Sequence, residues 1–306
     1  MDHLSLFWVN PSRDKHLKAI ETDFFQRVYR SLKDGTLELP PIPDVVLKLQ
    51  RVCYVQTSTV KDVSTLLLDD ATLTAAVIRA ANSAIFSPRT NRPCHDINMA
   101  VSRLGIQRVL GIATAHAIQT LKTSSPFSEE CNALLKKSAT SSREFASTMA
   151  LLCQKVKKYD DTHCELEVEK ALLIGLLADI GIYSAVNAFQ HYTDEGNYLD
   201  FDIASHVFYS VSKEASRFIL KSWGFDLDFI EVSTNRRIRR EVDDVTYLNL
   251  ATMANHLLLF RANDDAIDDH DVEITLAGAE ALYELSNLND ADFRLQLNGI
   301  INNCGF

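Results

Sequence analysis

Apolar residues recur at three- and four-residue steps along most of this chain, the spacing of amphipathic helices rather than strands. In residues 17–34, Ile20, Phe24, Val28 and Leu32 share one face, and Gly35 stands where a left-handed C-cap is favoured. Leu39–Asp44 reads LPPIPD, a stiff extended entry whose Pro43 or Asp44 opens a helix bearing Val46, Leu49 and Val52. Thr59 and Asp62 have the form of a capping box, Asp70 can cap a helix running through Ala84, and Asp96 one that ends at Leu104–Gly105. A further helix is expected over Ile106–Leu121. Ser124–Ser128, with Pro126, marks an internal boundary. Beyond it Leu135, Ser138, Ser142, Phe145, Met149, Leu152 and Val156 form one stripe on a long helix, and ALLIGLLADIG over Ala171–Gly181 reads as a buried core helix. Glu165, Glu167 and Glu169 precede it, where a helix amino terminus favours negative charge. Helices are then expected near 203–222, 226–238, 243–262, 273–286 and 290–302.

Composition supports this all-α reading. Helix formers are abundant, Gly (10) and Pro (7) are sparse, and period-two alternation is not sustained. With 306 residues, 46% of them hydrophobic, the chain can bury one large core or two smaller ones, and two helical subdomains are expected. A formal charge of −10 disfavours non-specific attraction to nucleic acid or anionic lipid. The six cysteines lack a CxxC pair and read as reduced thiols, which fits a cytoplasmic protein. The first fifteen residues lack the form of a secretory signal. The run Ala171–Phe189 is interrupted by Asp179, Asn187 and two glycines, as suits a core helix rather than a membrane span.

Four segments in series, LPPIPDVVLKL, LLLDDATLTAAVIRAANSAIF, INMAVSRLGIQRVLGIA and LLIGLLADIG, resemble the HDOD domain of bacterial signalling proteins. The likeness runs from about Leu39 to Phe229. It implies an amino-terminal extension (1–38), an amino-terminal helical part (39–125), an HD-like helical part (126–240) and a carboxy-terminal helical extension packed on the latter (241–306). HDOD domains are related to HD metal phosphohydrolases but commonly lack part of the metal site. Here Lys137–Ser138 stands where the first histidine is expected, Ala178–Asp179 replaces the His-Asp dyad, and Ser212–Lys213 occupies the downstream histidine position. The resemblance thus implies a non-catalytic regulatory module that binds a signalling partner protein or a small ligand and takes no cofactor. The alternative is a divergent metal-dependent phosphohydrolase acting on a nucleotide or phosphate ester, with Asp179 joined by His206, His191 or Asp194 around a divalent metal.

Other candidates have simpler readings. His95–Asp96 is a literal His-Asp pair, yet Asp96 sits at an N-cap. His116 lies within a helix without a second ligand at i+3 or i+4, and His163–Cys164 lacks a matching pair. The segment Met99–Ile118 has the outline of a helix-turn-helix, but its second helix is mostly apolar, so it reads as core. Arg236, Arg237, Arg239 and Arg240 could grip phosphates or a partner, or complement a helix carboxy terminus. The acidic run Asp264–Asp271 approaches calcium-loop spacing but has Ile274 where that loop needs glycine, so a solvated loop is expected.

Overall fold

The computed structural model describes residues 18–304 apart from 54, 56, 84–91, 125, 160–165, 239–244, 270, 271 and 273. Among the described residues the fold is all-helical, with no strand. Helix α1 spans Asp23–Asp34, α2 Asp44–Cys53, α3 Val60–Leu67, α4 Ala71–Asn82, α5 Ile97–Leu104 and α6 Ile106–Ser124. The second half follows with α7 Glu129–Tyr159, α8 Val168–Leu177, α9 Gly181–Asp194, α10 Phe201–Ser222 and α11 Leu227–Thr234, and then α12 Tyr247–Ala262, α13 Leu276–Ser286 and α14 Asp290–Cys304.

Local chemistry sets most of these boundaries. Thr22 Oγ1 accepts from Phe25 N to open α1, and Gly35 closes it at φ 69°. Thr59 and Asp62 form a complete capping box at α3, and Asp70 caps α4. Helix α4 stops at Asn82, two residues short of the expected end, and Ser83 turns extended. Asp96 accepts from Met99 N at 2.9 Å, so the literal His-Asp pair is a helix cap. Helix α11 ends at Thr234, four residues before the expected 238, because Asn235 adopts the left-handed conformation (φ 48°) and returns its N–H to Val232 O.

Helices α2, α4 and α5 pack on α6 in the first half, with α3 against α2 and α5, while α7 lies along α8, and α9 along α10, in the second. Helix α1 docks on α9 and α10 through Phe24, whose ring centroid lies 5.4 Å from that of Phe189 and 6.1 Å from that of Phe208. Helices α12, α13 and α14 lie along α7, and α14 also reaches α4. One continuous apolar core runs through all of these groups. The stretch 168–194 has the length and composition of a membrane span but is packed inside the protein, as expected of a core segment.

Candidate functional site

The ALLIGLLADIG run breaks where its chemistry begins. Helix α8 ends at Leu177, and Ala178–Ile180 turn the chain into α9 with Asp179 at the corner. Two glycines make that corner possible. A Cβ on Gly175 would lie 2.4 Å from Ala146 Cα, and one on Gly181 would lie 2.2 Å from Ser212 O, so α8 and α9 press onto α7 and α10 at backbone contact. Gly181 N–H donates to Ser216 Oγ at 2.9 Å, satisfying a helix-start donor that the tight approach shields from water.

Asp179 is 2% exposed and fully partnered. Lys122 on α6, also buried, donates from Nζ to Asp179 Oδ1 at 2.5 Å and to Ser142 Oγ at 3.1 Å. Ser142 Oγ lies 2.7 Å from the same carboxylate oxygen, and Ser138 donates to Oδ2. The Ser142 hydroxyl also lies 2.7 Å from Ser138 O, which anchors it to its own helix. Burial pushes the Lys122 ammonium down from lysine's ordinary value, and the Asp179 carboxylate opposes that shift.

A divalent ion does not fit this arrangement. A hydrolytic centre needs several anionic or imidazole ligands around an open position for water. Here an ammonium occupies the place beside the single carboxylate, and the Ser138 and Ser142 hydroxyls contact both of its oxygens. The other proposed ligands point elsewhere. His191 on α9 is exposed and pairs with Glu38 at 3.2 Å, Asp194 accepts from Gln190 at the same helix's end, and His206 rests edge-on to Tyr209 within α10. Among the described residues, no three His, Cys, Asp or Glu side chains share a potential ion site.

The other sequence candidates divide in the same way. Ser138 joins the Asp179 cluster, whereas Lys137 does not. Ser212 is buried and donates to Tyr209 O at 3.0 Å, so it contributes its backbone under Gly181 rather than a ligand. Arg236 and Arg237 follow α11 instead of complementing its last turn, since Asn235 has already closed the helix. Arg239, Arg240, His163 and Cys164 lie outside the described residues. His116 is half-buried on α6, its imidazole pushed down by burial. Most of the proposed recognition helix over Ile106–Ile118 is core, Ile112, Ala113 and Ile118 being fully covered.

The family-like motifs turn out to tie the backbone. Asn82 Nδ2 donates to Cys94 O and its Oδ1 accepts from Cys94 N, both at 2.7 Å. Arg103 donates to Ala81 O and Arg92 O, each at 3.0 Å. Together they clamp the two ends of the connection between α4 and α5. Between the halves lies a cavity of about 320 Å³, floored by Gly111, Leu173 and Phe229 and rimmed by ion pairs. Arg108 bridges Glu167 and Glu169, and Lys170 bridges Asp226 and Asp228, so its charges are already matched.

Sequence reading missed Lys122. The available signal was its register: Ala115 and Ile118 are buried, and a lysine four residues after Ile118 continues the same helix face into the core. A lysine there needs a buried anion, and Asp179 was the acid already singled out.

The fold is that of an HD-like helical protein, with the Lys122 ammonium beside the buried Asp179 carboxylate at the α8–α9 corner. The HDOD domain model matches residues 39–237, and the chain belongs to that family. A solved protein of Shewanella amazonensis SB2B, described as a "Putative metal-dependent phosphohydrolase", shares the fold at 22% identity and a TM-score of 0.69, over 95% of this chain and 99% of that one. An HDOD domain protein with unknown function from Geobacter sulfurreducens aligns at 20% identity and a TM-score of 0.46, over 91% and 95% of the two chains. The MmoQ response regulator of Methylococcus capsulatus str. Bath aligns at 19% identity and a TM-score of 0.34, over 83% and 95%. No curated protein matches the chain.

Proposed function

We propose that this HDOD protein is a non-catalytic regulatory module of bacterial signal transduction, working in the cytoplasm by binding a signalling partner protein or a small ligand. The observation that carries the reading is the Lys122–Asp179 pair, which neutralises the acid of the dyad from within. A scaffold whose charge is settled internally keeps its helical framework and loses the reason to recruit an ion, leaving its surfaces and clefts to report on binding. The divergent phosphohydrolase has no comparable support, since its candidate ligands do not converge.

The test is metal content of the purified chain together with manganese-dependent hydrolysis of bis(4-nitrophenyl) phosphate by the wild type and Asp179→Ala. Substoichiometric metal and no turnover dependent on Asp179 is the expected result. Stoichiometric metal with turnover lost in Asp179→Ala would make the protein an enzyme and overturn the reading.

A further inference from the structure

On the far side of α7 from Asp179, a groove of about 440 Å³ opens against α14. Thr140, Arg143, Glu144 and Ser147 line it from α7, and Arg294, Leu297, Asn298 and Ile301 from α14. Arg143 is half-buried, and among the described residues its guanidinium makes no hydrogen bond or ion pair. The other half-buried arginines of the described residues are all engaged. Arg108 and Arg261 pair with carboxylates, Arg103 holds two carbonyls, and Arg237 is also in contact with a partner. In a chain of net charge −10, acids are in excess, yet none is placed on Arg143.

Arg294 stands across the groove, so two guanidiniums face one space. Glu144 lies between them in charge if not in contact: burial pushes its carboxyl up, and Arg294 draws it back down. Forked guanidinium donors suit phosphate oxygens. The remaining lining asks for something more than a bare anion. The Thr140 hydroxyl donates to Lys136 O, so it presents only acceptor lone pairs to the groove, as does the Glu144 carboxylate, whereas Ser147 is fully buried beneath them. Leu297 and Ile301 add an apolar edge. The volume falls in the range of about 300–1,000 Å³ typical of small-molecule sites.

We infer that the groove between α7 and α14 binds a small phosphorylated molecule that also carries N–H donors and a flat apolar body, the chemistry of a nucleoside monophosphate. Its phosphate takes Arg143 and Arg294, its N–H donors meet Glu144 and Thr140, and its planar portion lies on Leu297 and Ile301. The inference is independent of the regulatory reading, because the groove lies on the face of α7 opposite the Lys122–Asp179 pair.

The experiment is isothermal titration calorimetry of the full chain at low salt with adenosine, guanosine, cytidine and uridine 5′-monophosphates, ribose 5-phosphate and inorganic phosphate. Saturable binding of at least one nucleotide is expected, tighter than either base-free phosphate. Arg143→Gln and Arg294→Gln should each weaken it about 10-fold or more, with unchanged circular dichroism and melting temperature. Glu144→Gln should tighten inorganic phosphate while weakening the nucleotide. Asn298→Trp, at an exposed rim position, should block the groove without touching the core. No saturable binding up to about 1 mM, where binding energy is only about 4 kcal/mol, would overturn the inference. So would affinity unchanged in the double arginine variant, and equal affinity for inorganic phosphate and every nucleotide would overturn the ligand class. None of these outcomes depends on metal content or hydrolysis, so each proposal fails separately.

Discussion

Two faces of the same helix treat charge in opposite ways. On the inner face of α7, Ser138 and Ser142 complete the buried Lys122–Asp179 pair, so every charge there has its counter-charge and its hydrogen bonds. Across the helix, Arg143 has no partner among the described residues, and Arg294 is matched only at a distance by Glu144. Side chains advance about 100° per residue around a helix, so positions 140, 143, 144 and 147 point roughly opposite to 138 and 142. The difference teaches where binding capacity can reside. A sealed, neutralised cluster contributes to the uniqueness of the fold, whereas an open groove with unmatched donors still has interactions to form.

The largest effect should come from breaking the inner pair. Lys122→Ala or Asp179→Ala leaves one charge buried alone, and chemical denaturation should show a loss of about 3–5 kcal/mol. The double variant Lys122→Met, Asp179→Leu should be far less destabilised than the sum of the single changes. Additive losses would mean that the two side chains do not form one unit.

Crowding at the corner comes next. Gly181→Ala drives a methyl into the backbone of Ser212 and Ser216 and should cost about 3 kcal/mol. Gly111→Ala is the control, since its added methyl meets only the mobile end of the Leu173 side chain, and it should cost clearly less in the same measurement. Equal losses would show that close backbone approach is not what shapes the corner.

A smaller effect tests the outer helices. Lys155 and Tyr159 on α7 hold the Glu284 carboxyl of α13 down at about 2, from an ordinary 4.5. The unfolded chain therefore takes up this proton first as pH falls. The contribution is complete above about pH 4.5 and is lost as pH falls through about 2. The stability gap between wild type and Glu284→Gln, followed by denaturant titration, should close across that window. A gap constant with pH would remove the ion pair as its cause. The smallest effect is expected in the groove, where Arg143→Gln and Arg294→Gln should change stability by no more than about 0.5 kcal/mol, even as they weaken nucleotide binding.

Much of this protein was legible in one dimension. The periodicity of Phe24 and Val28, the caps at Thr59, Asp70 and Asp96, and the stripe from Leu135 to Val156 are local properties, because a helix is stabilised by residues three and four positions apart. That Ala178 stands beside Asp179 where a histidine is expected came from the resemblance to the HDOD domain rather than from any local rule. The early stop of α11 was not legible, since Asn235 can either continue a helix or adopt the left-handed conformation that ends it.

Which group answers Asp179 was decided only in three dimensions. Lys122 is 57 residues away and Ser142 37, and no spacing rule relates them. The unmatched Arg143 is also a tertiary fact. The sequence shows an arginine with a glutamate beside it and acids in excess, but adjacent positions on a helix point about 100° apart. Only the packing of α14 against α7 sets Arg294 across from it and leaves a space between. The chain by itself determines its helices and most of their caps, because both are local. Where a charge finds its partner, or fails to, depends on distances between helices that only the folded arrangement defines.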